Sequence, residues 1–187
     1  KMEKILSIEQ RKEDFLLDEF WTSSIAAAFG RAKVYKENIS EKDKIKFKKN
    51  LRNIVEEISK QYKVEVSPEA HIKNVREIQK LGSYILNFEF LNFGVSQKLL
   101  NLYLKYLWCL NKIPPPPHFP VDRVIQVKLG IKEVDIKPWT RMNGDDGEKE
   151  YNKVIENAIE KLKENNLNNI AEVELKLCKT AVFNNKD

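Results

Sequence analysis

The chain has 187 residues, of which 42% are hydrophobic and 33% are charged, and its formal net charge is +5. This composition predicts one compact globular domain and argues against an intrinsically disordered chain. It contains no apolar run long enough to cross a membrane, and its two cysteines are too few for a disulfide framework. Residues 1–14 also lack the apolar core of a signal peptide. We therefore expect a basic cytoplasmic protein with no membrane partner, no metal and no other cofactor, and the oligomeric state is left open.

The first 65 residues predict two amphipathic helices. Ser7 begins a capping box, and the apolar spacing after it continues to about Tyr35. Ser40 is the predicted cap of the second helix, which carries one apolar stripe. The stripe comprises Ile45, Leu51, Ile54, Val55, Ile58 and Tyr62.

Positive charge is concentrated in this N-terminal part. The stretch 31–63 contains eleven Lys and Arg residues against five Asp and Glu residues. Such asymmetry favours an anionic partner, and we predict that Lys48, Lys49 and Arg52 bind DNA. Because the three residues lie off the apolar stripe, reversing their charge is expected to leave folding intact. The alternative is a solvated lysine-rich helix face without a ligand.

The next segment begins with a strong helix signal. Ser67 is followed by proline at the first helical position, and Gly82 is a suitable end for this helix. An aromatic segment follows, in which Phe88 and Phe90 are predicted to belong to the core. Residues 96–110 are apolar on nearly every side, which is typical of a central buried helix.

Four prolines at 114–117 predict a stiff extended connector, and a short helix is expected over 121–129, before Gly130. Residues 131–146 have the composition of a loop, in which Trp139 is either an exposed aromatic or a clamp on the core.

Two further helices are expected, over 148–164 and 169–181, although the alternation at 172–177 would also suit a strand. The predicted fold class is all-α, a compact bundle of about seven helices. We expect one domain, 1–187, in three parts: a helical pair (1–65), a core with the candidate motif (66–130), and a loop with two helices (131–187).

The buried helix carries a polar face that is the best candidate for chemistry. Lys98, Asn101 and Lys105 follow one another at helical spacing, so they share one side. Lys105 is also a predicted DNA-binding residue. That side forms either a solvent edge or a cleft. In a cleft with apolar walls, desolvation would lower the pKa of a lysine and free its amine for nucleophilic attack.

The segments Gly94-Val95-Ser96-Gln97-Lys98 and Phe119-Pro120-Val121-Asp122 resemble the core motif of the helix-hairpin-helix DNA glycosylases, a superfamily that contains endonuclease III and 8-oxoguanine glycosylase. The resemblance implies that Gly94, Val95 and Ser96 form a hairpin whose N–H groups bind a DNA phosphate. It also implies that Lys98 is a Schiff-base nucleophile and that Asp122 stabilises the cationic transition state. This sequence departs from the family at Asn92-Phe93, at Ser96 and in the longer spacing between lysine and aspartate.

The remaining candidates are two histidines and two cysteines. His71 is expected at the surface or at a helix cap, and His118 either serves as a proton shuttle near Asp122 or has a structural role. Cys109 and Cys178 are expected to be buried free thiols. Two functions follow: a DNA glycosylase with AP lyase activity, or a non-catalytic all-α module that binds nucleic acid or protein.

Overall fold

The computed structural model describes residues 7–177, which form seven α-helices and three short 3₁₀ helices. The α-helices are α1 (Ile8–Phe29), α2 (Glu41–Ser59), α3 (Pro68–Gln79), α4 (Phe93–Cys109), α5 (Arg123–Lys128), α6 (Gly144–Glu164) and α7 (Ile170–Leu177). The 3₁₀ helices span Lys60–Lys63, Glu133–Asp135 and Trp139–Arg141. Within the described part of the chain, the one β interaction is an isolated antiparallel bridge between Tyr35 and Leu86. The predicted all-α class is confirmed.

The first three helices begin at the predicted caps. Ser7 accepts a hydrogen bond from the backbone N–H of Gln10, whose side chain completes the capping box. Ser40 and Ser67 cap α2 and α3 by accepting hydrogen bonds from the backbone N–H groups of Asp43 and Ala70. These helix starts were predictable because each signal lies within four consecutive residues.

The end of α1 was predicted too late, since the helix stops at Phe29. The segment after it leaves the helical path and bonds to a distant loop. Lys36 N–H donates to the Ile85 carbonyl at 2.9 Å, and Asn87 N–H donates to the Val34 carbonyl at 3.0 Å. A tertiary interaction therefore ends the helix before its apolar pattern does.

Helix α4 is the centre of the fold, as predicted. Twelve of its 17 residues are buried, and it packs against α1, α3, α6 and the 3₁₀ helix Trp139–Arg141. One hydrophobic cluster joins residues from 1–65, 66–130 and 131–177 around this helix. The functional candidates of α4 therefore lie among side chains from several distant parts of the chain.

The apolar face of α2 differs from the predicted stripe. Phe47 is buried and Ile45 is exposed. Phe47, Leu51, Val55 and Ile58 follow helical spacing on one side, which leaves Ile45 on the opposite side. Phe47 lies four residues before Leu51, so helical spacing counted from Leu51 would have placed Phe47 on the apolar face.

Several predicted burial states were wrong. Phe88 and Phe90 are exposed, because the neighbouring Ile85, Leu86 and Leu91 fill the core in their place. Of the two alternatives for Trp139, the clamp on the core agrees with the structure, because the ring is buried.

The two predicted buried thiols have different outcomes. Cys109 is exposed at the C-terminal end of α4, so its predicted burial was wrong. Cys178 lies outside the described residues, as does the end of the predicted helix 169–181. The described part of that segment is helical, which decides against the strand alternative. No helix within residues 7–177 is both long and apolar enough to span a lipid bilayer.

Candidate active site

The structure brings Lys98 and Asp122 into direct contact. Lys98 lies in the second turn of α4, and Asp122 is the residue that begins α5. Lys98 Nζ is 3.3 Å from Asp122 Oδ2. The lysine side chain is almost fully buried, whereas the carboxylate is about one quarter exposed. The two residues that the motif singled out therefore form an ion pair at the edge of the core.

Trp139 covers the same lysine. Lys98 Nζ lies 3.6 Å from the centre of the Trp139 ring, which is close enough for a cation–π interaction. The indole N–H points away from the lysine, toward the Ala28 carbonyl of α1 at 3.5 Å. Sequence reasoning missed this contact, because it depends on how the 139–142 segment docks onto α4.

Gly94 allows that docking. A Cβ atom at Gly94 would lie 1.9 Å from the Trp139 carbonyl oxygen, so a larger residue would collide with backbone. The Gly94 N–H donates to the Met142 carbonyl at 2.9 Å. Asn92 adds a second link, since its side-chain amide donates to the Thr140 carbonyl at 2.9 Å. The start of α4 and the segment 139–142 are thus held together tightly, and Trp139 is placed over Lys98.

The pKa of Lys98 is lowered from its ordinary value, chiefly because burial penalises the ammonium form. The negative charge of Asp122 and its hydrogen bond oppose this effect, and the positive charge of Arg31 adds to it. A lowered pKa increases the fraction of lysine that carries a free lone pair. At a given pH, Lys98 is therefore neutral more often than a lysine with the ordinary pKa.

Asp122 uses its two carboxylate oxygens for different purposes. Oδ1 accepts a hydrogen bond from the Ile125 N–H at 3.1 Å and so caps α5, and Oδ2 faces Lys98. The cap fixes the carboxylate on the helix, because the bond leaves it little rotational freedom. One oxygen remains directed at the amine, where it can stabilise positive charge or accept a proton.

Lys98 and Asp122 line an open cleft of about 420 Å³ between the end of α1 and the start of α5. Small residues form the α1 wall, and two arginines, Arg31 and Arg123, lie at the rim. Arg123 is bound to Glu133 at 2.6 Å, whereas Arg31 forms no ion pair with any residue in 7–177. Asp122 is the one acid among the described lining residues. The cleft is therefore a cationic site with a lysine at its base.

No protein-family model, curated protein or solved structure matches this chain. A function is therefore inferred from the contacts of its own residues. Of the predicted site residues, Lys98 and Asp122 are the two that meet in one cleft.

The predicted phosphate-binding hairpin does not fit the geometry. Gly94, Val95 and Ser96 are buried, and each backbone N–H has an internal acceptor. Those acceptors are the Met142 carbonyl, the Asn92 side chain and the Asn92 carbonyl respectively. The segment before α4 is also a loop, since α3 ends at Gln79. These three amides have no free donor for a phosphate, so that predicted role is wrong.

The other predicted DNA-binding residues do not line this cleft. Lys48 and Lys49 lie on α2, and Arg52 binds both Asp18 and Glu56 at 2.6 Å. Lys105 binds Glu174 of α7 at 2.7 Å, although it shares a helix face with Lys98. Arg52 and Lys105 thus already have carboxylate partners within the fold.

Both histidines take part in a buried polar network that the sequence analysis missed. Tyr62 Oη lies 2.7 Å from His71 Nδ1, and the rings of His71 and His118 meet edge to face with centres 4.8 Å apart. His118 Nδ1 lies 2.9 Å from the hydroxyl of Tyr151. The expected surface position of His71 is wrong. His118 has the structural role, because its ring nitrogen contacts Tyr151 and not Asp122.

The network continues to the segment that carries Asp122. The Asn101 amide donates to the Tyr151 hydroxyl at 3.0 Å and to Gln97 Oε1 at 3.2 Å. Gln97 makes two bonds to the backbone of Val121, the residue that precedes Asp122. The sequence did contain a signal for such a network. Two amide side chains, Gln97 and Asn101, lie four residues apart on a buried helix, where they need hydrogen-bond partners.

Proposed function

We propose that this chain is a DNA glycosylase with AP lyase activity, in which Lys98 is the nucleophile and Asp122 its electrostatic partner. The observation that carries the proposal is the buried amine of Lys98, 3.3 Å from a carboxylate in an open cationic cleft. A lysine desolvated in this manner is a suitable Schiff-base nucleophile. The cleft volume lies within the range of natural ligand sites and would admit one flipped nucleotide.

The chemistry begins with a neutral Lys98 amine. Its lone pair forms a bond to C1′ of the deoxyribose while the bond from C1′ to the base breaks, and the base leaves with the electron pair and takes up a proton. Asp122 stabilises the positive charge on the sugar and accepts the proton that Lys98 loses. C1′ then still carries the ring oxygen O4′, so the bond from C1′ to O4′ breaks, O4′ takes the proton that Asp122 accepted, and the nitrogen lone pair forms the C=N bond of a protonated imine. This imine loses a C2′ proton to solvent, and the bond from C3′ to the phosphate oxygen breaks with its electron pair leaving on the phosphate, which cleaves the strand.

The charge around the cleft supports a DNA substrate. Arg31 and Arg123 lie at the rim and can approach the phosphates on either side of an extruded nucleotide. Trp139 forms an aromatic wall beside the amine, which limits water around the imine. The cleft thus combines a nucleophile, a counter-charge and an anion-attracting rim.

A non-catalytic binding module is the second candidate, and one observation favours it. Asp122 already caps α5 and pairs with Lys98, so both residues have a role in stability without any substrate. In that case Lys98 would bind no aldehyde. The two functions differ in the reactivity of one amine.

The deciding experiment is reductive trapping on DNA that contains an abasic site. The open-chain sugar of such a site has an aldehyde, with which an amine forms an imine by loss of water, and borohydride reduces the imine to a stable amine. We expect the wild-type chain to form a covalent complex and Lys98→Gln to form none. Peptide mass mapping should place the adduct on Lys98.

Lys44→Gln is the matched control. Lys44 also pairs with a carboxylate, Glu41 at 2.7 Å, and lies 5.7 Å from the centre of an aromatic ring, that of Tyr35. It should trap as efficiently as the wild type. Equal trapping by Lys98→Gln, or no trapping by the wild type, would leave the binding module as the better description.

A further inference from the structure

We infer that a second cleft, next to the proposed active site, binds unpaired nucleotides by stacking them on Phe88 and Phe90. The inference deepens the proposed function and rests on it for the identity of the ligand, because it names single-stranded DNA as the form that is bound. This aromatic cleft has a volume of about 360 Å³, and its lining includes Phe88, Phe90, Arg31, Lys33, Thr140 and Arg141.

The exposure of the two rings is imposed by the fold. Phe88 is 60% exposed and Phe90 is 45% exposed. The loop that carries them is anchored through its own backbone: Ser83 N–H donates to the Glu89 carbonyl at 2.7 Å, and Asn87 N–H donates to the Val34 carbonyl. The loop therefore holds two apolar rings in solvent at the same cleft, and an exposed apolar patch at a cleft is typical of a binding site.

The backbone at Glu89 supports the same conclusion. Its φ is +63°, a left-handed conformation that is costly for a residue with a side chain. Glu89 stands between the two phenylalanines, and the turn it makes is part of the arrangement that keeps both rings outside the core. Backbone strain that places side chains in solvent is typical of binding sites.

The charges around the rings match a polyanion. Arg31, Lys33 and Arg141 line the aromatic cleft, and none of them forms an ion pair with a residue in 7–177. No acidic residue lies among the described lining residues, and the exposed Glu89 is the nearest acid along the loop. Aromatic faces beside unpaired cations are the combination that binds single strands, because bases stack on the rings while phosphates meet the charges.

The aromatic cleft and the cleft of the proposed active site share one lining residue. Arg31 lines both clefts. Trp139 lines the cleft of Lys98, and the next two residues in the chain, Thr140 and Arg141, line the aromatic cleft. A strand whose target nucleotide enters beside Lys98 can therefore place its neighbouring bases on Phe88 and Phe90. In a duplex the base faces are covered by stacking on the neighbouring base pairs, so the site requires unpaired, unstacked nucleotides.

The experiment measures binding of a labelled oligothymidine by fluorescence anisotropy across a salt series. Phe88→Ala and Phe90→Ala should each weaken binding roughly 5- to 100-fold with an unchanged salt slope, since stacking releases no counterions. Arg141→Gln should reduce the slope of log K against log salt by about 0.7, the value for one phosphate contact on a single strand. A fully paired duplex should bind more weakly than the single strand.

Two matched controls exist elsewhere on the surface. Phe15 is 62% exposed on α1, and Arg11 is an exposed arginine of the same helix. Phe15→Ala and Arg11→Gln should bind oligothymidine like the wild type. If Phe88→Ala and Phe90→Ala bind no more weakly than Phe15→Ala, or if the duplex binds as tightly as the single strand, the inference is wrong.

The result is separable from the trapping test. Oligothymidine has no aldehyde, so its binding to the wild type and to the phenylalanine variants is measured independently of the reactivity of Lys98. If the phenylalanine variants lose oligothymidine binding but the wild type is not trapped on abasic DNA, the stacking site is supported and the lyase is rejected. If the wild type is trapped but the phenylalanine variants bind normally, the lyase is supported and the stacking site is rejected. If the wild type does not bind DNA, the inference is wrong. If in that case the phenylalanine variants change self-association, the two rings form a protein contact.

Discussion

Trp139 lies directly over Lys98, with 3.6 Å between the ring centre and the lysine Nζ. The ring removes water from one side of the amine, and Asp122 contacts it from another. Because Trp139 is positioned by the contact of its own backbone with Gly94, the environment of the lysine depends on how segment 139–142 docks on α4. The solvent exposure of the Lys98 amine thus depends on tertiary packing, and its charge environment depends on Asp122.

The first prediction concerns the pKa of Lys98, which we expect below its ordinary value of 10.5 because the amine is buried. Asp122→Asn should lower it further, since the aspartate charge stabilises the ammonium form. NMR titration of the reductively methylated protein should show one dimethyl-lysine signal that titrates early and is missing in Lys98→Gln. A single common pKa for all lysines would contradict the prediction.

A second measurement follows from the sign of this shift. The folded state releases the Lys98 proton at a lower pH than the unfolded state, so the free energy of unfolding rises with pH in the window that ends near 10.5. Lys98→Gln lacks this contribution. The difference in stability between wild type and variant should therefore move in favour of the wild type as pH rises through that window.

The buried histidines predict sensitivity to acid. Burial lowers the pKa of His118 to about 4, against an opposing effect of Glu69, and it lowers the pKa of His71 well below 6.5. The unfolded state takes up protons near pH 6.5 while the folded state does not, so stability is lost as pH falls from 6.5 toward 4. The loss from His118 is on the order of 3 kcal/mol.

Urea denaturation at pH 7.5 and at lower pH measures this loss. His118→Phe keeps an aromatic ring against His71 and removes one titrating group, so its stability should depend less on pH than that of the wild type. The same pH dependence in both proteins would mean that His118 is already accessible to protons in the folded state.

Local signals made much of the fold predictable. The caps at Ser7, Ser40 and Ser67 and the continuous apolar character of α4 are encoded within short segments, and each marks a helix that exists. Helix ends were less predictable. The end of α1 depends on backbone bonds to residues 85–87, which no local pattern in residues 30–35 specifies.

The candidate site was predictable only in part, because several of its contacts also depend on residues that are distant in the chain. The motif identified Lys98 and Asp122, which are in contact. The contribution of Trp139 and the exposure of Phe88 and Phe90 follow from which neighbouring side chains occupy the core. His71 was misplaced because a polar residue on a half-buried helix looks the same in sequence whether or not a distant tyrosine bonds to it.

The ion pairs of Arg52 lead to a prediction that corrects the sequence-based expectation. Arg52→Glu would place a third carboxylate beside Asp18 and Glu56, and we expect a loss of about 1–2 kcal/mol in the free energy of unfolding. The double variant Lys48→Glu/Lys49→Glu should stay within about 0.5 kcal/mol of wild type. Urea denaturation distinguishes the two, and equal stability would show that the Arg52 pairs contribute nothing.

Gly94 tests the link between packing and the proposed site. Gly94→Ala would bring Cβ to 1.9 Å from the Trp139 carbonyl, so the segment 139–142 has to move. We expect about 1–3 kcal/mol of lost stability, together with slower trapping of abasic DNA. Gly82→Ala is the milder control, because its added Cβ lies 3.3 Å from its nearest neighbour, the Glu89 carbonyl oxygen. If both variants behave alike, the close approach of Gly94 to Trp139 has no role in positioning the lysine.

The last prediction separates the two roles of Asp122. Asparagine caps a helix about as well as aspartate, so Asp122→Asn should keep the bond to the Ile125 N–H while it removes the charge that faces Lys98. Base release from damaged DNA should slow by about 10²- to 10³-fold, because transition-state stabilisation is lost, and DNA binding should remain nearly unchanged. Asp122→Ala removes the cap as well and should cost about 1 kcal/mol more in stability. Single-turnover excision assays and urea denaturation of both variants measure the two effects separately. If Asp122→Asn excises at the wild-type rate and only Asp122→Ala is impaired, Asp122 acts as a helix cap and has no part in the chemistry.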